Sequence, residues 1–278
     1  MEEYAIHSHV GRKITTMVYK SDVYNYITRK TNKFKDYKLL QQIKQHPVPK
    51  HIAIIMDGNR RFAKSFDLYP EAGHFFGRDK IEDVLEWCFE LGIENLTLYA
   101  FSTENFSRSN NEVKALMDLC KSELERATKD SRIHKNKVRV RVLGNLETLP
   151  EDIRSSAQYV VDETKDYDKH SLNIALAYGG REEIINAIQK IANDVKTGTI
   201  KIGDITESTV SKYLYTNGLP DPDIILRTSG EERISNFLLW QLAYSELYFS
   251  DVFWPAFQKR DFLKVIMTCQ QRKRRFGK

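Results

Sequence analysis

Apolar positions along this chain follow two alternating rhythms. Short continuous runs, the length of buried strands, are separated by stretches where apolar residues recur every three or four positions. The first run spans 51–56, where five of the six residues before Asp57 are apolar. A helix follows, with Ile81, Val84, Leu85, Cys88 and Leu91 on one face. A second strand is predicted at 96–100, and a helix from about 111 to 129 aligns Val113, Leu116, Met117, Cys120 and Leu124. Over 138–143 Val and Arg alternate, the pattern of a strand with one wet face, as at a sheet edge. Pro150 suits the first turn of another helix, where its missing N–H costs nothing. The run at 171–178 reads as strand and turns through Gly179-Gly180-Arg181 into a helix. After Pro220 and Pro222 the pattern predicts a short strand at 223–227, a very apolar helix at 234–245 and a basic closing helix at 259–275. Residues 1–46 have weak periodicity with scattered Lys and Tyr, and read as an appended helical arm.

Strand and helix signals in alternation predict an α/β fold: a single domain with a central, mainly parallel β-sheet flanked by helices. With 278 residues the chain is long enough to bury a full core. No internal repeat or low-complexity tract interrupts it. Cys88, Cys120 and Cys269 are odd in number, form no CxxC and fall in predicted helices, so reduced thiols in a reducing, cytoplasmic compartment are expected. The first residues are acidic and lack the apolar stretch of a signal peptide, and no apolar run approaches the ~20 residues of a membrane span. His7 and His9 form a His-x-His pair that reads more simply as part of a mobile tail.

Charge changes the picture more. Residues 1–50 hold ten Lys and Arg against four acidic residues, and residues 259–278 hold eight against one. The middle therefore carries 25 basic against 33 acidic residues. A nucleic-acid enzyme more often spreads positive charge over its catalytic body, so no nucleic-acid partner is expected. Basic ends suit anionic lipid headgroups, with peripheral contact at a membrane, or a phosphate pocket closed by the tail.

Four clusters of polar residues follow predicted strands: Asp57 to Arg61 with His74; Ser102 to Arg108; Gly179-Gly180-Arg181; and Arg227 to Asn236, continued to Glu246. Strand ends of open α/β sheets are where ligands bind. A carboxylate, free backbone N–H groups and fixed arginines suit a phosphate ester with a divalent ion. No Ser–His–Asp order, Cys–His pair, Walker loop or spaced GxGxxG is present, which disfavours nucleophilic catalysis and a nucleotide site. Each cluster also has an ordinary structural reading: a turn at Asp57-Gly58, helix capping at Ser102 to Asn105, surface ion pairs at Arg227 and Arg233. Glu246 stands out, because a carboxylate in an apolar stretch wants a partner or a metal. Residues 237–240 read as core, with one face available to line an apolar tunnel.

The chain closely resembles the cis-prenyltransferases, the undecaprenyl and dehydrodolichyl diphosphate synthases. The matching segments are HIAIIMDGNRRFAK (51–64), GH (73–74), LTLYAFSTENFSRS (96–109), EVKALM (112–117), NIALAYGGR (173–181), ILRTSGEERISNFLLWQLAYSELYF (225–249) and RRFG (274–277). They run in family order, and the DGNRRF wording with the Lys-rich arm is closest to archaeal members. The resemblance implies a catalytic domain over 47–278, an apolar tunnel and a homodimer. The implied reaction is Mg²⁺-dependent, sequential condensation of isopentenyl diphosphate onto an allylic diphosphate. Its product is a long polycis-polyprenyl diphosphate, precursor of a glycosyl carrier lipid. The archaeal flavour favours geranylgeranyl diphosphate over farnesyl diphosphate as the primer.

Carried over by position, Asp57 binds Mg²⁺ and Glu246 is a second metal ligand. The backbone of Gly58 to Arg61, with Asn59, Arg60, Arg61, Phe62, His74 and Arg108, holds the allylic substrate. Ser102, Thr103, Glu104, Asn105 and Phe106 line the reacting centre. Arg227, Arg233, Ile234 and Ser235 hold isopentenyl diphosphate, and Arg275 with Gly277 resembles a tail that reaches a diphosphate across the dimer. Asn105 stands at the family's proton-acceptor position. A neutral amide is a poor base, so a diphosphate oxygen is expected to take the proton while Asn105 positions it. Pro70 stands where the family commonly has an arginine, and Arg60 or Arg78 is the expected substitute. The competing reading is a non-catalytic partner subunit of a prenyltransferase complex. Such subunits tend to lose the DGN and arginine motifs that this chain keeps.

Overall fold

The computed structural model describes residues 33–272. Six strands form one parallel sheet: β1 (His51–Ile55), β2 (Asn95–Ser102), β3 (Val138–Leu143), β4 (His170–Tyr178), β5 (Ile224–Arg227) and β6 (Glu246–Phe249), in the order β3-β4-β2-β1-β5-β6. The helices are α1 (Lys33–Ile43), α2 (Asn59–Lys64), α3 (Pro70–Leu91), α4 (Asn110–Lys129), α5 (Ser131–Lys135), α6 (Glu151–Thr164), α7 (Gly180–Lys196), α8 (Glu207–Tyr213) and α9 (Lys259–Gln271).

β1 is buried along its whole length, as expected of a central strand in a parallel sheet covered on both faces. Ile52 and Ile54 point into the large apolar core with Val84 and Cys88 of α3, Leu116 and Met117 of α4 and Val160 of α6. Ala53 and Ile55 face the other way, into a smaller cluster with Tyr99, Tyr178, Phe237 and Leu238. β3, with its alternating Val and Arg, is indeed an edge strand. β1 has β2 on one side and β5 on the other. The chain passes from β1 to β2 on one side and from β5 to β6 on the other, so the β1/β5 crevice at the carboxyl ends is the topological switch point.

Two predicted features differ. The stretch 234–245 is not a helix. Ser235 (φ 47°), Asn236 (φ 63°) and Leu238 (φ 47°) are left-handed, and only Gln241–Tyr244 forms a short 3₁₀ turn. Left-handed L-residues cannot propagate a helix. What holds the segment is tertiary: Phe237 and Leu238 are buried, and Phe237 stacks on Tyr99 with ring centroids 4.4 Å apart. The short strand β6 that follows was not foreseen at all. The end of the arm also joins the body. Leu40 and Ile43 of α1 belong to the main core, and Asp36 meets Arg260 of α9 at 3.0 Å. The rest of the arm, His7 and His9 included, and the last residues of the predicted closing helix, lie outside the described residues. Among the described residues no helix is long and apolar enough to cross a membrane.

Candidate active site

The strand ends converge on Asp57. Its Oδ2 lies 2.7 Å from Nη2 of Arg227 and 3.5 Å from Nη2 of Arg61, and its Oδ1 accepts the N–H of Gly58 at 2.6 Å. Its backbone carbonyl accepts from Thr228 Oγ1 (2.7 Å) and from the N–H of Trp254 (3.0 Å). Partial burial pushes the Asp57 carboxyl up. The hydrogen bond and charge of Arg227, with the Gly58 N–H and Arg61, outweigh it and hold the group below its ordinary value. The turn requires glycine at 58. Its φ is +100°, and a Cβ there would sit 2.8 Å from both Phe253 Cδ1 and Ser229 Cβ.

Arg227 closes β5, opposite Ile55 in the register, and is buried. Its Nη1 donates to the carbonyl of Arg233 (2.6 Å) and to Ser235 Oγ (2.7 Å), while its buried Nε has no partner. Arg61 donates to Ser229 Oγ (2.5 Å) and to Glu231 (2.9 Å), and Glu231 also accepts from Arg233. One carboxylate thus joins arginines assigned to the two different substrates. Ile234 is half-buried beside them, and Ser235 is exposed.

A second cationic cluster surrounds Glu112 on α4. Arg108 pairs with it at 2.8 Å, Arg60 at 3.6 Å and His74 Nε2 at 3.8 Å. Burial, then Arg108 and Arg60, pull the His74 pKa down to about 4 against the pull of Glu112. His74 is therefore neutral near pH 7, and its buried Nε2 has no hydrogen-bond partner. Gly73 and Gly77 let α3 pack against α2: a Cβ on Gly73 would lie 2.0 Å from the Asn59 carbonyl, and one on Gly77 2.4 Å from Asn59 Oδ1. Asn59 Nδ2 in turn donates to Met56 O at 3.2 Å. Phe62 is buried against Phe66 and Phe76, so its visible work is packing beneath the loop. Pro70 opens α3 at its first turn.

Between the clusters, β2 runs into a 3₁₀ turn at Thr103–Ser107. Asn105 Oδ1 accepts the N–H of Ser102 at 3.1 Å, so its amide oxygen is already engaged in holding the turn. Glu104 accepts from Asn236 Nδ2 at 2.8 Å and from Thr103 Oγ1 at 3.3 Å. Desolvation raises its pKa, but hydrogen bonds from its own backbone, Asn236, Ser102 and Thr103 bring it below the ordinary value. Phe106 is partly exposed and meets Phe101 edge-on at 4.9 Å.

Glu246 is not brought to Asp57 within the chain. It opens β6 opposite Ile224, three register positions, or roughly 10 Å, before the level of Arg227, and it pairs with Arg272 at 2.7 Å. A parallel strand entering beside β5 must begin at the end of the sheet away from the crevice, which the unforeseen β6 made invisible in sequence. Among the described residues no group of three or more His, Cys, Asp and Glu forms a metal cage. Asp57 alone suits a cation that is otherwise held by substrate phosphates and water, a usual manner for Mg²⁺. Arg275 and Gly277 lie outside the described residues. Glu112 was missed by sequence reasoning, and Ser229 and Asn236 fell within the Arg227 to Asn236 cluster without a role of their own. A Glu at the start of a charged helix carries no signal apart from its partners, and Ser229 and Asn236 matter through left-handed turns.

The fold and site define an α/β protein with two arginine-rich clusters at the carboxyl ends of its strands, one around Asp57 and one around Glu112. The profile of the family described as "Putative undecaprenyl diphosphate synthase" matches residues 55–277. The chain belongs to this family of prenyltransferases. It is 53% identical over 240 residues to a tritrans,polycis-undecaprenyl-diphosphate synthase (geranylgeranyl-diphosphate specific) of Pyrococcus furiosus, covering 86% of this chain and 91% of that one. The like-named protein of Picrophilus torridus is 50% identical over 257 residues, 92% and 99% of the two chains. Among solved structures, lavandulyl diphosphate synthase from Lavandula x intermedia, in complex with dimethylallyl diphosphate, superposes with a TM-score of 0.80 at 35% identity, covering 83% of this chain and 99% of that one. A probable undecaprenyl diphosphate synthase from Campylobacter jejuni gives 0.69 at 35% identity, covering 84% and 100%.

Proposed function

We propose that this chain condenses isopentenyl diphosphate sequentially onto geranylgeranyl diphosphate, making a long polycis-polyprenyl diphosphate. The observation that carries this reading is a pair of orphaned nitrogens. Arg227 Nε and His74 Nε2 are buried without hydrogen-bond partners, one in each cationic cluster. Two cationic clusters, each with one buried nitrogen left unpaired, suit two diphosphates. The names of the archaeal relatives supply the primer.

In this reading Arg61, Arg60, Arg108 and His74 hold the allylic diphosphate, and Arg227, Arg233 and Ser235 hold isopentenyl diphosphate. Breaking the allylic C–O bond leaves its electron pair on the departing diphosphate. The guanidinium groups and the Gly58 loop stabilise that charge. Asp57 would hold Mg²⁺, which would supply further charge neutralisation at the leaving group. The double bond of isopentenyl diphosphate forms the new C–C bond, and the adduct loses a proton to a diphosphate oxygen, giving the new double bond. Asn105, whose amide oxygen is bound to Ser102, acts by holding the turn. The growing chain would lodge in an apolar tunnel, shielded from water.

The intact arginines and Asp57 favour this over a non-catalytic partner subunit. We also propose a homodimer formed around 237–253, and peripheral contact with a membrane for product release. The test is the product mass after incubation with isopentenyl diphosphate and each primer in turn, with Mg²⁺ or with chelator. A long polyprenyl product from geranylgeranyl diphosphate, abolished by chelator, is expected. No product from either primer would refute the catalytic reading.

A further inference from the structure

Asn236 joins three loops of the site. Its backbone carbonyl accepts the N–H of Gly180 at 2.7 Å, and its side-chain oxygen accepts the N–H of Arg181 at 2.9 Å. Those N–H groups belong to the first turn of the 17-residue helix α7, whose own cap residue, Gly179, has no side chain to offer. The cap is therefore supplied from another part of the chain. A backbone N–H can only donate, so the orientation of the Asn236 amide is decided: its oxygen faces Arg181 and its NH₂ faces away. That NH₂ reaches Glu104 Oε1 at 2.8 Å. It passes close to Gly179, where a Cβ would meet Asn236 Nδ2 at 2.9 Å and Thr103 Oγ1 at 2.6 Å. Asn236 itself is left-handed, with φ 63°, a conformation Asn tolerates better than most residues.

From this geometry we propose that Asn236 is a positioning residue: its amide, locked by the N-terminus of α7, fixes the orientation of the Glu104 carboxylate at the reacting centre. The importance of Glu104 rests on the condensation reading above. Capping α7 needs only the two oxygens of Asn236. The donor is surplus to that task, and it goes to a carboxylate on the turn between the two anion subsites. Glu104 has rotatable bonds that an exposed carboxylate would otherwise sample freely, and small misplacements near reacting atoms are costly.

Asn236→Asp tests the idea. Asp keeps the shape, the left-handed turn and an oxygen for Arg181, and it replaces the donor with a carboxylate that repels Glu104. In the full chain kcat should fall about tenfold or more, with KM for both substrates little changed and the melting temperature close to wild type. In a Glu104→Ala background the same substitution should change kcat by less than about twofold, because coupled residues are not additive. Wild-type kcat in Asn236→Asp, or an undiminished effect in the Glu104→Ala background, would overturn the proposal. Should Asn236→Asp not fold, Asn236→Gly retains the positive φ and the backbone carbonyl, and enters the same cycle. A readout independent of turnover is the NMR signal of the Asn236 side-chain NH₂, which should move on Glu104→Ala. An unmoved signal refutes the link even in an enzyme that proved inactive, whereas inactivity of the wild-type chain would refute only the function proposed above.

Discussion

Asp57 and Arg227 face each other at 2.7 Å across the junction of β1 and β5, 170 residues apart in the chain. The pair joins the two halves of the site, and it makes Asp57 more than a ligand. Asp57→Ala should lower turnover about a thousandfold, the effect of losing ~4 kcal/mol of transition-state stabilisation. It should also lower stability by about 1–3 kcal/mol, because a buried guanidinium loses its carboxylate. Asp57→Asn retains an acceptor for Arg227, and should lose activity with a nearly unchanged melting curve. Measuring both variants by turnover and calorimetry separates the two roles. Equal melting losses would show that the charge, and not the acceptor, supports Arg227.

The two cationic clusters should separate kinetically. Arg227→Ala should chiefly weaken isopentenyl diphosphate, and Arg108→Ala chiefly the allylic substrate, each by about 2–5 kcal/mol of binding. Initial-rate curves with each substrate varied in turn check this. Indistinguishable effects on both substrates from both variants would contradict two subsites.

His74 should leave a mark on acid stability. Its folded pKa is about 4 against an ordinary 6.5. Between these values the unfolded chain takes up a proton that the folded chain does not. Stability therefore falls as pH drops from about 6.5 to about 4, by at most about 3 kcal/mol. Asp79 opposes this. Burial, then Glu82, raise its pKa to about 6, so it favours the folded state as pH falls below 6. Its side chain is partly exposed, and the effect is correspondingly screened. Urea midpoints measured from pH 7 to 4 should fall less steeply for His74→Gln than for wild type. Parallel curves would show that His74 is not the proton-linked group.

Gly58→Ala should be disproportionately harmful. The added methyl has no room between Phe253 and Ser229, and φ of +100° strains any L-residue. A cost of about 1–3 kcal/mol is expected, with activity lost through displacement of Asp57. An active, normally melting Gly58→Ala protein would show that the loop can re-form around the methyl.

The open edge of the sheet bears on assembly. Among the described residues β6 is an edge strand with all four residues half-buried, and Tyr244 just before it is 71% exposed. Unpaired edges with apolar neighbours are rarely left bare. Sedimentation should show a dimer at micromolar concentration that Tyr244→Asp loosens by at least about tenfold, as loss of a central aromatic anchor does. An active wild-type monomer would contradict the proposed dimer.

Periodicity and composition were enough to determine the α/β class, the buried β1, the edge character of β3 and the helices around Val84 and Leu116. These follow from local spacing, because a strand or helix buries one face whatever lies beyond it. The loops bearing Asp57, Ser102 and Arg227 were legible for the same reason: strand ends are marked by where apolar runs stop. The motifs were also sufficient to place the chain in its family. The course of 234–249 was not legible. An almost wholly apolar stretch has no period to read, and its left-handed turns at Ser235, Asn236 and Leu238 are held by Phe237 stacking on Tyr99 and by hydrogen bonds to α7. The same limit applies to Glu112, Glu246 and Asn236. Whether a carboxylate or amide belongs to the site depends on partners scores of residues away, and only the packing of the sheet decides which residues meet.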